Sequence, residues 1–300
     1  MSVLNRLMSP YLIMLLPPLF WAGNAVAGRA AVGLLPPLAL AFWRWLFAFL
    51  LLLPFGAPRV MAQRHLAMKR WKTLCLLALF SVTAYNSLLY IALTTTTAVN
   101  ATLVSAAIPV AIVLLSWLWI KDRISLRQGL GVTVSLLGVL LVIARGDPAA
   151  LIGLHLHSGD IWALAAVASW AFFSVLLRRH PTGLDSVALL TIQVGLGLLF
   201  ILPFYLLEAA SGQTFTVTWK SVELIAYVAV LPSLGAYGIW NWGVARLGPN
   251  AAGLYTNLIP VFTAALAAVM LGEQFQWFHG VGMASIFAGI WLATRKTAKS

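Results

Sequence analysis

The chain has 300 residues, of which 62% are hydrophobic and only 9% charged. A soluble domain carries roughly a quarter charged residues, so this composition excludes an ordinary water-soluble fold and implies an integral membrane protein. The net charge of +12 does not point to nucleic acid, because the basic residues lie between apolar runs, where they fix the orientation of a membrane protein.

A helix that crosses the hydrocarbon core needs about 20 mostly apolar residues. Read between charges and Pro/Gly punctuation, the chain predicts ten such spans: 10–30, 36–55, 73–93, 98–120, 126–145, 159–178, 185–207, 222–245, 250–271 and 276–294. The first could be mistaken for a secretory leader, since Arg6, an apolar stretch and Ala25-Val26-Ala27 imitate one with its cleavage site. It has a counterpart at 160–179, and we read it as a retained span. The second span carries Arg44. The run from Thr73 to Ile120 holds no Asp, Glu, Lys, Arg or His and is too long for one helix, so Thr94-Thr95-Thr96-Thr97 is taken as the break between spans three and four. Leu247-Gly248-Pro249-Asn250 divides spans eight and nine in the same way. Cys75, the one cysteine, lies inside an apolar run and reads as a small core residue.

The second half of the sequence repeats the first. At an offset of 151, Pro109-Val110 meets Pro260-Val261, Asp122 meets Glu273, Gly131 meets Gly282, Gly138 meets Gly289 and Arg145 meets Lys296. Nearer the start the offset is 149, which pairs Trp21 with Trp170, Arg29 with Arg178 and Pro54 with Pro203. A duplicated unit with an odd number of spans must reinsert upside down, and inverted repeats are a recurring architecture of alternating-access transporters. The expected units are residues 1–148 and 149–300, five spans each. Fifteen of the nineteen Lys and Arg residues fall on the side that carries both termini; the others are Arg29, Arg145 and Lys220 opposite and Arg44 within a span. By the positive-inside rule both termini are cytoplasmic, and the expected location is a bacterial cytoplasmic membrane.

The stretch from Ala92 to Arg145, with Ala98-Val99-Asn100-Ala101, Ile108-Pro109-Val110, Asp122, Gly131 and Gly138, and its echo from Gly243 to Lys296 resemble the EamA repeat of the drug/metabolite transporter superfamily. Trp21-Ala22-Gly23-Asn24 and Ser169-Trp170-Ala171-Phe172 look like the start of each repeat. The resemblance spans essentially the whole chain, and within the superfamily it is most similar to the YddG-type aromatic amino acid exporters. It implies an all-α membrane protein of ten transmembrane helices, arranged as two inverted five-helix repeats around a central cavity that opens alternately to either face.

The acidic residues and the histidines all lie at span ends or in loops. An ionisable group buried in the membrane usually marks an ion pathway, so the chain reads as a facilitator or exchanger driven by the substrate gradient rather than a proton antiporter. The same inventory leaves no nucleophile, acid/base or metal cluster for a membrane enzyme, and no G-x-x-x-x-G-K-[ST] for ATP hydrolysis. No catalytic residue, metal, cofactor, nucleic acid or ATPase partner is expected. The partners are the lipid bilayer and a small-molecule substrate.

The polar and aromatic residues at span centres are the candidate substrate contacts: Trp21, Asn24, Tyr85, Asn86, Tyr90, Asn100, Ser105, Trp170, Tyr237, Trp240, Asn241, Tyr255 and Asn257. Amides in hydrocarbon must face partner helices or a wet cavity, so each serves either as cavity lining or as a bond between helices. Together they describe an apolar-walled cavity with a few hydrogen-bonding groups, suited to an amino acid, aromatic ones included. Another metabolite or drug on the same fold is the alternative. Arg44 is read either as a partner for a substrate carboxylate or as an arginine that snorkels outward or caps helix carbonyls; its repeat partner is Gln193. Pro109 and Pro260, at equivalent depths, are expected to break spans four and nine, either as gating elements or as fixed kinks.

Overall fold

Inside a bilayer every backbone N–H and C=O must bond within the protein, and this sequence meets that demand with helices alone. The computed structural model describes residues 9–95, 101, 104–121, 125–144, 146–147, 149, 158–271 and 276–294; no strand occurs among them. Ten helical spans follow in order. Helix α1 is Pro10–Ile13 continued by Leu16–Ala31, α2 is Pro37–Ala62, α3 is Trp71–Thr95, α4 is Ile108–Ile120 and α5 is Leu126–Ile143. Helix α6 is Ser158–Arg179, α7 is Ser186–Ala210, α8 is Trp219–Leu247, α9 runs Pro249–Leu254, Tyr255–Asn257 and Leu258–Leu271, and α10 is Trp277–Thr294. The predicted spans hold to within a few residues with two exceptions: span four, expected from residue 98, has its described helix from Ile108, with much of 98–107 outside the described residues, and α2 runs on to Ala62. Its extra turns carry Arg59, which stands 3.5 Å from Asp185; past the hydrocarbon the helix keeps its backbone bonds and gains an ion pair.

Of the two predicted polar breaks, the second is where the chain turns; the first begins within α3, described as far as Thr95, and its remainder lies outside the described residues. Helix α8 ends at Leu247 because Gly248 takes φ +83°, a conformation a side chain would resist, and Pro249 then opens α9 at a position where its missing N–H costs nothing. Pro109 and Pro260 do not kink continuous helices. Each lies in the first turn of a segment that restarts after a break, at Ala106–Ala107 in α4 and at the 3₁₀ turn Tyr255–Asn257 in α9.

Helix α5 packs against α10, and there the repeat shows its inversion. A Cβ on Gly131 would lie 2.6 Å from the Gly289 carbonyl oxygen, and one on Gly138 would lie 2.7 Å from the Gly282 carbonyl oxygen. Position 131 faces 289 while 138 faces 282, so the helices run antiparallel, and each glycine meets the repeat counterpart of the other. Helices α2 and α7 pair the same way: Phe42 stacks on Tyr205 at 4.6 Å between ring centres, and Gly56 faces Thr191. These close contacts without side chains are how helices associate in lipid, where no hydrophobic force draws them together.

The ends of α2 and α7 are capped in an exchanged manner. The backbone N–H groups of Leu38 and Ala39, unsatisfied at the start of α2, donate to Glu208 near the end of α7 at 3.0 and 2.7 Å. Their counterparts in α7, Val187 and Ala188, donate to Asp185 of their own helix at 3.0 and 3.1 Å. Position 36 is proline and offers no cap, so the first half borrows a carboxylate from the second. Glu208 and Arg59 are themselves counterparts at offset 149.

Two predictions follow from this packing. Gly289→Ala places a Cβ 2.5 Å from the Gly131 carbonyl oxygen, whereas Gly129 has nothing within 4 Å. Overpacking of that kind costs about 1–3 kcal/mol, so Gly289→Ala is expected to lower the Tm in detergent while Gly129→Ala leaves it within about a degree. The second concerns pH. Burial pushes the Asp185 carboxyl up, but the amides of Ala188 and Val187, the side chain of Gln63 and the Arg59 guanidinium outweigh it and hold the group below its ordinary value. A carboxyl lowered in the folded state adds stability that is present above its unfolded pKa of about 4 and lost as pH falls through the lowered value. The Tm difference between wild type and Asp185→Asn is therefore expected to be full at neutral pH and to close only at strongly acidic pH.

Candidate functional site

Helices α3 and α8 each contain a widened turn with π-helical bonding, Leu79–Ala84 and Ala229–Gly235, at equivalent places in the two halves. Pro232 within the second lacks the N–H that a regular turn would use. Such turns shift carbonyls out of the regular helical ladder, and side chains from other helices bond to them. Ser169 of α6 donates to the Phe80 carbonyl at 2.8 Å, Tyr237 of α8 to that of Ser81 at 2.8 Å, and Trp21 of α1 donates its indole N–H to that of Pro232 at 3.2 Å. Asn86 Nδ2 donates to the Ser81 and Val82 carbonyls at 2.9 and 3.2 Å and to the Tyr237 hydroxyl at 2.8 Å.

Arg44 projects from α2 into this framework and is fully buried. It neither snorkels nor caps helix carbonyls. Its Nε and Nη2 donate to Ser233 Oγ at 2.9 and 2.7 Å, and its Nη1 donates to the side-chain oxygens of Asn24 at 3.2 Å, Asn86 at 3.1 Å and Tyr90. Tyr90 in turn donates to Asn24 at 3.0 Å, and Ser233 to the Val228 carbonyl at 2.7 Å. The guanidinium carbon lies 5.0 Å from the Trp45 ring centre and 5.7 Å from that of Tyr90. Every partner is neutral, and among the described residues the one ion pair is the distant Arg59–Asp185. This is a cation dissolved in the protein by five oxygen contacts and two aromatic faces, with no resident counter-charge.

Beside it stands an aromatic cluster. Trp21 meets Trp170 edge-on at 5.1 Å and Trp240 at 5.4 Å; Trp170 lies 5.3 Å from Tyr237, 5.2 Å from Trp240, 5.0 Å from Phe173 and 4.7 Å from Tyr85. Trp21 and Trp170 are repeat counterparts, as are Asn86 and Tyr237. Equivalent residues touch only near the axis that exchanges the halves, so that axis passes through this site.

Two spaces flank the Arg44 cluster. A cavity of about 310 Å³, lined by Gly28, Leu40, Tyr90, Thr94, Gln213 and Thr214, opens on the face that carries the α1–α2 and α7–α8 loops. A void of about 50 Å³ lies deeper, against Trp21, Asn24, Tyr85, Asn86, Ser105 and Pro260. Tyr90 and its bonded partners separate the two. On the opposite face, Arg179 at the end of α6 bonds the Trp119 carbonyl of α4 and covers its ring at 5.3 Å, and Arg178 donates to the Ala245 carbonyl of α8 at 3.4 Å.

The structure thus brings together Trp21, Asn24, Arg44, Tyr85, Asn86, Tyr90, Ser105, Trp170, Tyr237, Trp240 and Pro260. It does not bring in three others. Asn241 bonds Gln193 at 2.8 Å, Asn257 bonds Ser135 of α5 at 2.8 Å, and Tyr255 is buried in the 3₁₀ turn of α9 away from both spaces. Pro109 packs beneath Gly253, 3.7 Å from where a Cβ would stand there. Asn100 lies outside the described residues. Sequence reasoning missed Ser233, Ser81 and Glu208. For Ser233 a signal existed, since it follows Pro232 and replaces Val82 of the first half.

The EamA-like transporter family matches residues 8–144 and again 157–295, one match for each half. The chain belongs to that family. An uncharacterized transporter of Archaeoglobus fulgidus is 30% identical over 289 residues, covering 95% of this chain and 97% of that protein. A "Probable amino-acid metabolite efflux pump" of Salmonella typhimurium is 29% identical over 192 residues, 60% of this chain and 63% of that protein. A crystal structure 19% identical to it superposes with a TM-score of 0.77 over 97% of this chain and 98% of that one, which shows the shared fold. It is a multi-pass membrane transporter, and the architecture is ten transmembrane helices in two inverted five-helix repeats around a central cavity.

Arg44 is held by groups that are largely bonded to one another without it. Arg44→Met is therefore expected to leave the Tm within a few degrees of wild type or to raise it, because a buried cation is removed, while stabilisation by an added carboxylate-bearing ligand disappears. A fall of more than about ten degrees in thermal scans of the purified variant would mark Arg44 as a structural element instead.

Proposed function

We propose that this transporter moves amino acids, aromatic ones among them, across the bacterial cytoplasmic membrane by alternating access, with both termini in the cytoplasm and the substrate gradient as the driving force. The observation that carries the reading is Arg44, a fully buried guanidinium whose named partners are all neutral. A carboxylate entering the 310 Å³ cavity past Tyr90 would take two parallel N–H bonds from the fork, a stronger match than the amide and hydroxyl oxygens it displaces. The ring of the same substrate would meet Trp21 and Tyr85, which line the inner void, where aromatic pairs favour tilted and edge-on contacts.

In this reading the substrate sits on the axis that exchanges the halves, so that swapping their conformations presents it to the other face. The cavity opens to the periplasm, and Arg178 and Arg179 close the cytoplasmic end. No Asp, Glu or His contacts the Arg44 cluster among the described residues; the protonation relay of an antiporter has no member there.

The test is counterflow of radiolabelled amino acids into proteoliposomes. Phenylalanine, tyrosine and tryptophan are expected to exchange, with rates unaffected by a protonophore. Exchange of none of the three sinks the aromatic assignment, and collapse without a proton gradient sinks the facilitator mechanism.

A further inference from the structure

Gln193 occupies in α7 the position that Arg44 holds in α2, at the offset of 149, and both are fully buried. The plan around them is also repeated. Arg44 bonds Tyr90 of α3; the counterpart of Tyr90 is Asn241 of α8, and Asn241 Nδ2 donates to Gln193 Oε1 at 2.8 Å. Asn24 and Asn86, the other partners of Arg44 Nη1, become Phe173 and Tyr237, whose rings stand 6.4 Å apart. One site ends in a charge, the other in a pair of amides.

Each amide of that pair keeps one atom without a partner: Gln193 Nε2, a donor, and Asn241 Oδ1, an acceptor. Both residues are at least 97% buried. Turning both amides over exchanges the roles but still leaves one free donor and one free acceptor. Folded proteins seldom leave buried amides unsatisfied, because each costs about 1–3 kcal/mol. A donor beside an acceptor is the complement of a zwitterionic head group: the amide N–H meets the carboxylate and the amide C=O meets the ammonium.

The present inner void is built mainly from the first half, with Thr256, Ile259 and Pro260 from the second. Exchanging the halves produces a cavity on the other side of the axis, walled by Trp170, Phe173 and Tyr237 and closed by Pro109. Gln193 and Asn241 stand to that cavity as Arg44 and Tyr90 stand to this one. We infer that Gln193 and Asn241 form a second, charge-free subsite for the head group of a zwitterionic α-amino acid, occupied when the chain opens to the face that carries its termini. The inference rests on the amino acid and alternating-access reading above. Its consequence is sided affinity: at one face the carboxylate meets a cation that offers two parallel bonds, and at the other a single neutral amide donor, and bidentate Arg–carboxylate pairs are the stronger match.

The experiment is phenylalanine counterflow in proteoliposomes of a single orientation, with half-saturation measured from each face. In wild type, 3-phenylpropionate, which has the carboxylate but no ammonium, is expected to compete at least about tenfold more weakly from the termini face than from the other. Equal competition at both faces overturns the second subsite whether or not any variant folds. Gln193→Met removes the free donor, and the half-saturation for phenylalanine is expected to rise about tenfold from the termini face, with the other face less affected. Gln193→Glu keeps an acceptor for Asn241 but sets a carboxylate where the donor stood, so it is expected to lose phenylalanine and retain phenethylamine as a competitor. If wild type exchanges phenylalanine and Gln193→Met behaves like wild type from both faces, the subsite falls and the amino acid reading stands. If wild type exchanges no amino acid, that reading falls and takes the subsite with it.

Discussion

A guanidinium inside a bilayer has to be dissolved by the protein, because hydrocarbon offers it nothing, and much of the centre of this molecule is arranged around that requirement. An ionised side chain inside a span is costly, and well-placed oxygens offset that cost by hydrogen bonding to the charge, which is how Arg44 is held. Those oxygens come from α1, α3 and α8. Two of their owners, Asn86 and Ser233, are themselves fixed by the Ser81 and Val228 carbonyls at the widened turns of α3 and α8, and Tyr90 bonds Asn24. A departure from regular helix, unfavourable in itself, thus supplies the acceptors that orient the residues around the charge. The cluster is polar enough to hold a cation and, among the described residues, has no anion of its own, a combination that favours a ligand bringing one.

The second theme is symmetry and its breaking. Where the halves must fit each other, counterparts are alike: Gly131 and Gly138 against Gly289 and Gly282, Trp21 against Trp170. Helix packing in lipid depends on close approach, and a pair of small residues or interlocked rings serves equally well on both sides of the axis. Where the chain deals with charge, counterparts differ. Arg44 corresponds to Gln193, and Glu208 to Arg59. The end of α2 is capped by a carboxylate of α7, whereas the end of α7 carries its own and pairs it with an arginine of α2. Both arrangements join the same two helices, at opposite faces of the membrane, by opposite assignments of charge.

These two themes meet at the axis. The aromatic cluster that contains Trp21, Trp170, Tyr237 and Trp240 lies on it and is drawn from both halves. The Arg44 cluster and the Gln193–Asn241 pair are repeat counterparts, one in each half, and they are unlike: the first holds a charge, the second two neutral amides.

The sequence by itself determined the class of molecule, the ten spans and their breaks, and the inverted duplication, because hydrophobic length, charge placement and repeat spacing are local or one-dimensional properties. Leu247-Gly248-Pro249 marked a turn in the chain without help from the fold. It also supplied most of the site's members, since an amide or arginine in hydrocarbon stands out against its neighbours. What it could not supply was direction and partnership. Arg44 had two readings until α1, α3 and α8 were seen to surround it, and Ser233 and Glu208 are unremarkable until they meet partners 189 and 169 or more residues away. Asn241 and Asn257 carried the same sequence signal as Asn24 and Asn86, yet they bond Gln193 and Ser135. Only tertiary structure decides such matters, because which face of a helix meets a neighbour depends on the packing of every other helix, and in a uniformly apolar span periodicity gives almost no hint of it.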